Sequence, residues 1–244
     1  MRELESEELD EAFVRSGRDL QEQKIFEEYP VHKAVASMVL PTIASQIIFV
    51  IYNLADTWYV GLTGDANAVA AVSLCLPVYT ILSAISNLFG IGGAAAISRA
   101  LGRNSREDAK NIFALSLWGA LIGAAIYSIL ILSTMRPLLA LIGGDSGDTE
   151  FAVSYLMWTV VIGGIPTILA PTIGHLIRAG GFSKTASFYM ILGAVINIGF
   201  DPLFMFVILP AGNEVTGAAV ATALANLIAL AGFVIYLVRT RHGS

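Results

Sequence analysis

The sequence predicts an all-α membrane protein with six transmembrane helices and both termini in the cytoplasm. Three observations support this prediction: the composition, the lengths of the apolar stretches and the distribution of basic residues. The 244-residue chain is 56% hydrophobic and 14% charged, whereas a soluble domain carries about 25% charged residues. Its mean hydropathy of +0.72 is typical of a chain that lies mostly in lipid.

Six apolar stretches are each long enough to cross a bilayer, because a helix needs about 20 residues to span about 30 Å of hydrocarbon. They cover approximately 34–60, 67–97, 111–135, 151–177, 186–209 and 215–238. We therefore predict an acidic cytoplasmic tail over residues 1–30 and a six-helix transmembrane lobe over residues 31–240. The tail holds about half of the acidic residues, so the net charge of -5 says little about partners.

The basic residues predict the orientation of the lobe. Of the 14 Lys and Arg residues, all but Arg136 fall on one side of the six spans, in the N-terminal tail, in the connections near 99–110 and 178–184, and after residue 238. The positive-inside rule assigns that side to the cytoplasm. On this interpretation Arg178 belongs to a cytoplasmic connection, and no Lys or Arg lies within a span.

Several kinds of chemistry are not expected. The single cysteine, Cys75, allows neither an internal disulfide nor a cysteine-based metal site. The three histidines lack metal-ligand spacing, and there is no Gly-Lys phosphate-binding loop. The basic segment 99–110 is better explained as a topology signal than as a nucleic-acid patch. We expect no enzyme activity, no cofactor and no nucleic-acid partner.

Two acidic residues lie inside the predicted spans, Asp56 in YNLADTWYVG and Asp201 in INIGFDP. An aspartate near the centre of a membrane helix costs roughly 2.5–3.5 kcal/mol on insertion scales. A chain this apolar is not expected to carry two such residues without a function. A structural carboxylate that caps backbone groups is the alternative.

Depth places these acids near two further polar residues. From the rise per residue, Asp56 lies about 8 Å, Asp201 about 13 Å and Thr222 about 12 Å below the outer end of its span. Asn197 lies one turn before Asp201 on the same helical face. Asp56, Asn197, Asp201 and Thr222 are therefore predicted to meet in the outer half of the membrane.

Two prolines lie in the same spans as these acids. Pro202 has no N–H, so it is expected to leave the carbonyl of Ile198 without a helical partner. Carboxylate, amide and carbonyl oxygens suit Na⁺, whereas a desolvated carboxylate pair would bind a proton. Pro41 is expected to free the carbonyl of Ser37 and to let span one bend, or else simply to set the shape of that helix.

Several segments, in this order, resemble the multidrug and toxic compound extrusion (MATE) transporters. They are PTIASQ, YNLADTWYVG and NAVAAVSL in spans one and two, then ISRALGRNSREDAK, LIRAGGFSK, INIGFDP and GAAVATAL. The resemblance covers about residues 30–240. It implies a coupling-cation site at Asp56, Asn197, Asp201 and Thr222, with Asn53 supporting the span-one carboxylate.

The same resemblance implies a longer transporter. Members of that family have twelve spans in two six-helix lobes, and the drug cavity lies between the lobes. This chain matches the N-terminal lobe, so we expect either a fragment or a half-length protein that pairs with a second lobe, which could be a second copy of itself.

The function implied is a cation-coupled antiporter of the cytoplasmic membrane, driven by Na⁺ or H⁺, that exports drugs or organic cations. One alternative is a non-transporting or regulatory half-transporter. Another is a lipid-linked oligosaccharide flippase, for which more cationic residues inside the cavity would be expected. A remote alternative is an intramembrane aspartyl protease, but Gly199-Phe200-Asp201 does not fit the Gly-x-Gly-Asp pattern of those enzymes.

Overall fold

A computed structural model describes residues 30–143, 148–210 and 212–242. The predicted acidic tail lies outside these ranges, except for Pro30. Within the described ranges the chain is helical, with no strand. The α-helices are α1 (Val31–Gly61), α2 (Ala66–Gly102), α3 (Arg106–Leu141), α4 (Asp148–Leu156), α5 (Gly164–Ala179), α6 (Ser183–Leu203) and α7 (Glu214–His242). Two π-helical segments, Met157–Ile162 and Phe204–Ile208, come directly after α4 and α6.

The six predicted spans are confirmed, with a correction to the fourth. Five helices are long and apolar enough to cross a membrane by themselves, and α4 with α5 forms a sixth span that is bent by 51°. The bend lies at Gly163, where an added Cβ would be 2.6 Å from the Trp158 carbonyl oxygen. Glycine therefore allows the chain to turn where another residue would clash.

The loops between the helices lie at two opposite ends of the lobe, an inner end and an outer end. The inner end contains residues 103–105 and 180–182, and it is the end that the basic residues predict to be cytoplasmic. The outer end contains residues 62–65 and 142–143. Helices α1, α3 and α6 run from the inner to the outer end, and α2, α5 and α7 run back.

The main core lies between α2, α3, α4, α5, α7 and the π segment that precedes α5. Leu82, Leu139, Leu156 and Ile168 are fully buried there. Three buried hydroxyl groups donate hydrogen bonds to carbonyl oxygens of neighbouring helices: Tyr127 to Val78 at 2.8 Å, Ser128 to Val160 at 2.8 Å and Ser86 to Ile168 at 3.0 Å. Such bonds satisfy polar groups that lipid cannot solvate.

Small residues bring some of these helices close together. At Gly93 an added Cβ would lie 2.8 Å from a methyl carbon of Leu176, and at Gly217 it would lie 2.8 Å from the Cα atom of Met205. Both glycines are therefore positions where close packing needs a small residue. Gly92 differs, because a Cβ added there would have no neighbour within 4 Å among the described residues.

Helix α1 lies at the edge of the lobe. Its buried residues are Ser45, Tyr52 and Val60, and its main packing partner is α6. The outer end of α1 is the better anchored, since Val60 packs with Met205 and Ala218. Helix α1 is therefore attached to the lobe mainly by its packing against α6.

Candidate cation site and adjoining cavity

Helix α6 presents an amide and a carboxylate that are both buried. Asn197 is 2% exposed and Asp201 is 0% exposed. The Asn197 Nδ2 atom donates to Asp201 Oδ1 at 3.2 Å and to Thr222 Oγ1, on α7, at 3.3 Å. One amide thus ties the carboxylate of α6 to the hydroxyl of α7.

The span-one carboxylate completes an acidic cluster, defined as Asp56, Asn197, Asp201 and Thr222. Asp56 lies on α1, which packs mainly against α6, the helix that carries Asp201. Within the described residues, three buried oxygens of the cluster have no hydrogen-bond partner: Asp56 Oδ1, Asn197 Oδ1 and Asp201 Oδ2. Unpartnered buried oxygens of this type can bind a hard cation, and two neighbouring carboxylates can share a proton.

Asn53, Pro41 and Pro202, named from the sequence as supporting residues, lie on the two helices that carry Asp56 and Asp201. Asn53 is on the exposed side of α1, and its Nδ2 atom donates to the Phe49 carbonyl oxygen at 2.7 Å. Helix α1 continues through Pro41 without a break. Helix α6 continues through Pro202 as far as Leu203 and then changes to the π segment. The sequence did not predict this change, although π segments are frequent beside functional sites.

A cavity of about 250 Å³ adjoins the acidic cluster. Asn197 and Thr222 form part of its outer side, and Phe49, Tyr52 and Tyr79 supply aromatic surface. Helices α1, α2, α5, α6 and α7 all contribute side chains to its lining. An amphipathic molecule could therefore contact both rings and polar groups in this space.

Arg178 corrects the prediction that no Lys or Arg lies within a span. It belongs to the last turn of α5, and its side chain lines the cavity together with His175. Its Nη2 atom donates to the Ser45 Oγ atom of α1 at 3.1 Å. Because Cα–Cβ bonds point toward the helix N-terminus, a long side chain in the last turn can reach back into the lobe. The cavity therefore contains one cationic side chain, whereas the argument against a flippase expected none.

The chain is similar to known proteins in its sequence and in its structure. The MatE family model matches residues 41–203. The multidrug export protein MepA of Staphylococcus aureus strain NCTC 8325 is 32% identical over 216 residues, which are 88% of this chain and 47% of MepA. The chain thus spans about half the length of the curated relatives it matches.

Solved structures show the same relationship. An outward-facing multidrug resistance MATE family transporter of the MOP superfamily has a TM-score of 0.83 and 27% identity, over 90% of this chain and 47% of its own. An inward-facing structure with the same description has a TM-score of 0.71 and 29% identity, over 76% of this chain and 41% of its own. The chain is a multi-pass membrane protein, and it belongs to the MATE family.

Proposed function

We propose that this chain is the N-terminal lobe of a cation-coupled exporter of drugs or organic cations. The name of MepA and the MATE family both support export of small molecules. The observation that carries the coupling part of the proposal is the acidic cluster. It places two carboxylates, an amide and a hydroxyl inside an apolar lobe, and three of its buried oxygens lack a partner within the described residues.

In the proposed cycle, Na⁺ or a proton enters from the outer side and binds at Asp56 and Asp201. Binding neutralises charge in a medium where an unpaired carboxylate is costly. The ion can drive a conformational change only if its affinity differs between two states of the lobe. Asp56 lies on α1 and Asp201 on α6, so a movement of α1 relative to α6 would alter the ion site directly.

Helix α1 is the proposed moving element because it has few buried residues and contains Pro41. Its Tyr52 and Phe49 side chains line the cavity, so a shift of α1 would change both the ion site and the substrate space. The lobe is more similar to an outward-facing relative than to an inward-facing one. This supports the assignment of the present conformation to the outward-facing part of the cycle.

The proposed transporter needs a second six-helix lobe, supplied by a longer chain or by a second copy of this one. The curated relatives are about twice as long as this chain. If the isolated chain is a non-transporting half instead, reconstituted vesicles containing it alone will not accumulate or expel a cationic dye such as ethidium. Efflux only after addition of a second lobe would support pairing.

The coupling site can be tested by thermal unfolding of the purified chain in Na⁺ or K⁺ between pH 5 and pH 9. A ligand present at about 100 times its Kd stabilises the folded state by about 2.7 kcal/mol. For a chain of this size that corresponds to a rise in Tm of roughly 5–10 °C. We expect Na⁺ or protons to produce such a rise in the wild type and not in Asp201→Asn.

Asp108→Asn is the matched control, because it removes one carboxylate at an exposed position in the first turn of α3. A rise specific to Na⁺ identifies a Na⁺ site, and a rise that tracks pH without a preference for Na⁺ identifies proton binding. If Asp201→Asn responds in the same way as the wild type and Asp108→Asn, the acidic cluster is not the coupling site.

A further inference from the structure

We propose that Arg178 forms an anion-binding subsite at the inner end of the cavity, which takes the carboxylate of a zwitterionic substrate. This inference rests on the proposed function, because it assigns part of the same cavity to one substrate group. It differs from the expectation of a purely cationic substrate.

The guanidinium of Arg178 points into the lobe. It reaches Ser45, which lies 14 positions after the first residue of α1 and so about 21 Å along that helix. An arginine that serves only to contact lipid headgroups would extend toward the nearer membrane surface. The direction of this side chain therefore favours a role inside the cavity.

Most N–H donors of Arg178 have no partner among the residues that the structure describes. A guanidinium has five N–H donors, and the hydrogen bond found for Arg178 uses one Nη2 donor. Its Nε atom is buried and has no hydrogen-bond partner among the described residues. Ser45 is a neutral partner that itself donates to the Thr42 carbonyl oxygen at 2.8 Å. This contact does not neutralise the positive charge.

Among the described residues, no carboxylate near Arg178 compensates for that charge. Within the described parts of the chain, Arg178 has no ion pair with Asp or Glu. The described lining of the cavity contains Arg178 and no carboxylate. A partly buried guanidinium with free donors favours a planar anion that can accept two hydrogen bonds, such as a carboxylate. The amides of Gln46 and Asn87 also line the cavity and could bind polar groups next to that carboxylate.

The opposite side of the cavity has the opposite electrostatic character. Asn197 and Thr222 line it, and the buried Asp201 hydrogen-bonds to Asn197 directly behind the lining. On α6 the lining runs from Met190 to Asn197, which is about 10 Å along a helix. A molecule with an amine and a carboxylate at its two ends could therefore align with both groups, while its apolar body contacts Phe49 and Met190.

Rhodamine 110 and rhodamine 123 provide matched probes. They share one cationic ring system, and rhodamine 123 is the methyl ester of the carboxyl group that rhodamine 110 leaves free. Binding of each dye to the purified 244-residue chain can be measured by fluorescence polarisation. We expect Arg178→Gln to weaken binding of rhodamine 110 by about tenfold or more, since a charge-assisted hydrogen bond is lost. Binding of rhodamine 123 is expected to change less than twofold.

Two further variants, Ser45→Ala and Arg178→Lys, distinguish a substrate-binding role of Arg178 from a structural role in linking α5 to α1. Ser45→Ala removes the contact to α1 but keeps the charge, so rhodamine 110 should still bind at least as tightly as it does to the wild type. Arg178→Lys keeps the charge but loses the planar donor pair, so it should selectively weaken rhodamine 110. It also tests the subsite if Arg178→Gln does not fold.

The outcomes distinguish the two proposals. If Arg178→Gln and Arg178→Lys weaken binding of both dyes equally, or of neither dye, Arg178 is not a carboxylate subsite. Drug binding in the cavity then still stands. If Ser45→Ala reproduces the selective loss, the effect comes from the position of α1 and the subsite is rejected. If the wild-type chain binds neither dye, the drug-binding cavity and the subsite are both rejected.

Discussion

Helices α1 and α2 are similar in length and apolar character, yet they differ in how they are held. In its most apolar 18-residue window, α1 has 6% of its residues buried, whereas α2 has 28%. Hydrophobicity therefore marks both as spans without indicating which belongs to the core. Helix α2 packs between α3 and α5, whereas α1 has α6 as its main neighbour. We infer that α2 belongs to the rigid frame and that α1 can move.

The largest difference is expected from shortening one leucine in each helix. Leu82 of α2 is 0% exposed and Leu40 of α1 is 64% exposed. Leu82→Ala should lower the free energy of unfolding by about 2–5 kcal/mol because it leaves a cavity in the core. Leu40→Ala should change it by no more than about 0.5 kcal/mol. Denaturant unfolding in detergent measures both, and equal losses would contradict the division between frame and mobile helix.

A glycine pair gives the next largest effect. In Gly217→Ala, the new methyl group would lie 2.8 Å from the Phe204 carbonyl oxygen and 2.9 Å from the Met205 backbone nitrogen. Backbone atoms cannot move aside as a side chain can, so we expect a loss of about 1–3 kcal/mol. In Gly61→Ala of α1, the methyl group would have no neighbour within 4 Å in the part of the chain that the structure describes. Thermal unfolding should show no loss for Gly61→Ala, and a loss like that of Gly217→Ala would mean that α1 is tightly packed.

The smallest effect is expected at the link between α1 and α5. Ser45→Ala removes the acceptor of the Arg178 hydrogen bond and should cost about 1 kcal/mol. Hydrogen–deuterium exchange should become faster in α1 and stay unchanged in α2. Ser73→Ala is the matched control, because that exposed hydroxyl bonds within α2, to the Val69 carbonyl oxygen. If exchange rises throughout the lobe, α1 does not move independently.

Much of the fold could be predicted because the bilayer restricts what a chain can do. Apolar length predicted six spans, and the cost of a charge in lipid directed attention to Asp56 and Asp201. Helical rise and periodicity then selected Asn197 and Thr222, and in the structure Asn197 is hydrogen-bonded to both Asp201 and Thr222. Their roles in cation binding stay predictions.

Three features could not be predicted in the same way. At Gly163, where the fourth span bends, an added Cβ would lie 3.0 Å from the Cβ atom of Ala223 on α7, and this contact is set by tertiary packing. Arg178 was assigned to a loop because charge alone does not reveal which way a long side chain extends. The weak packing of α1 depends on which neighbours surround it, and an apolar stretch has the same composition in either case.

The π segment Phe204–Ile208 has a consequence for how related chains can differ in length. A π turn is an α-helical turn that has accepted one additional residue, and this one begins three positions after Asp201. A single-residue deletion between 204 and 208 would restore α-helical winding and rotate only the residues on its C-terminal side. The side chains of Asn197 and Asp201, which precede the π segment, would keep their direction in the lobe. We therefore expect one-residue gaps in alignments of related chains to be tolerated here and to be excluded between positions 197 and 201.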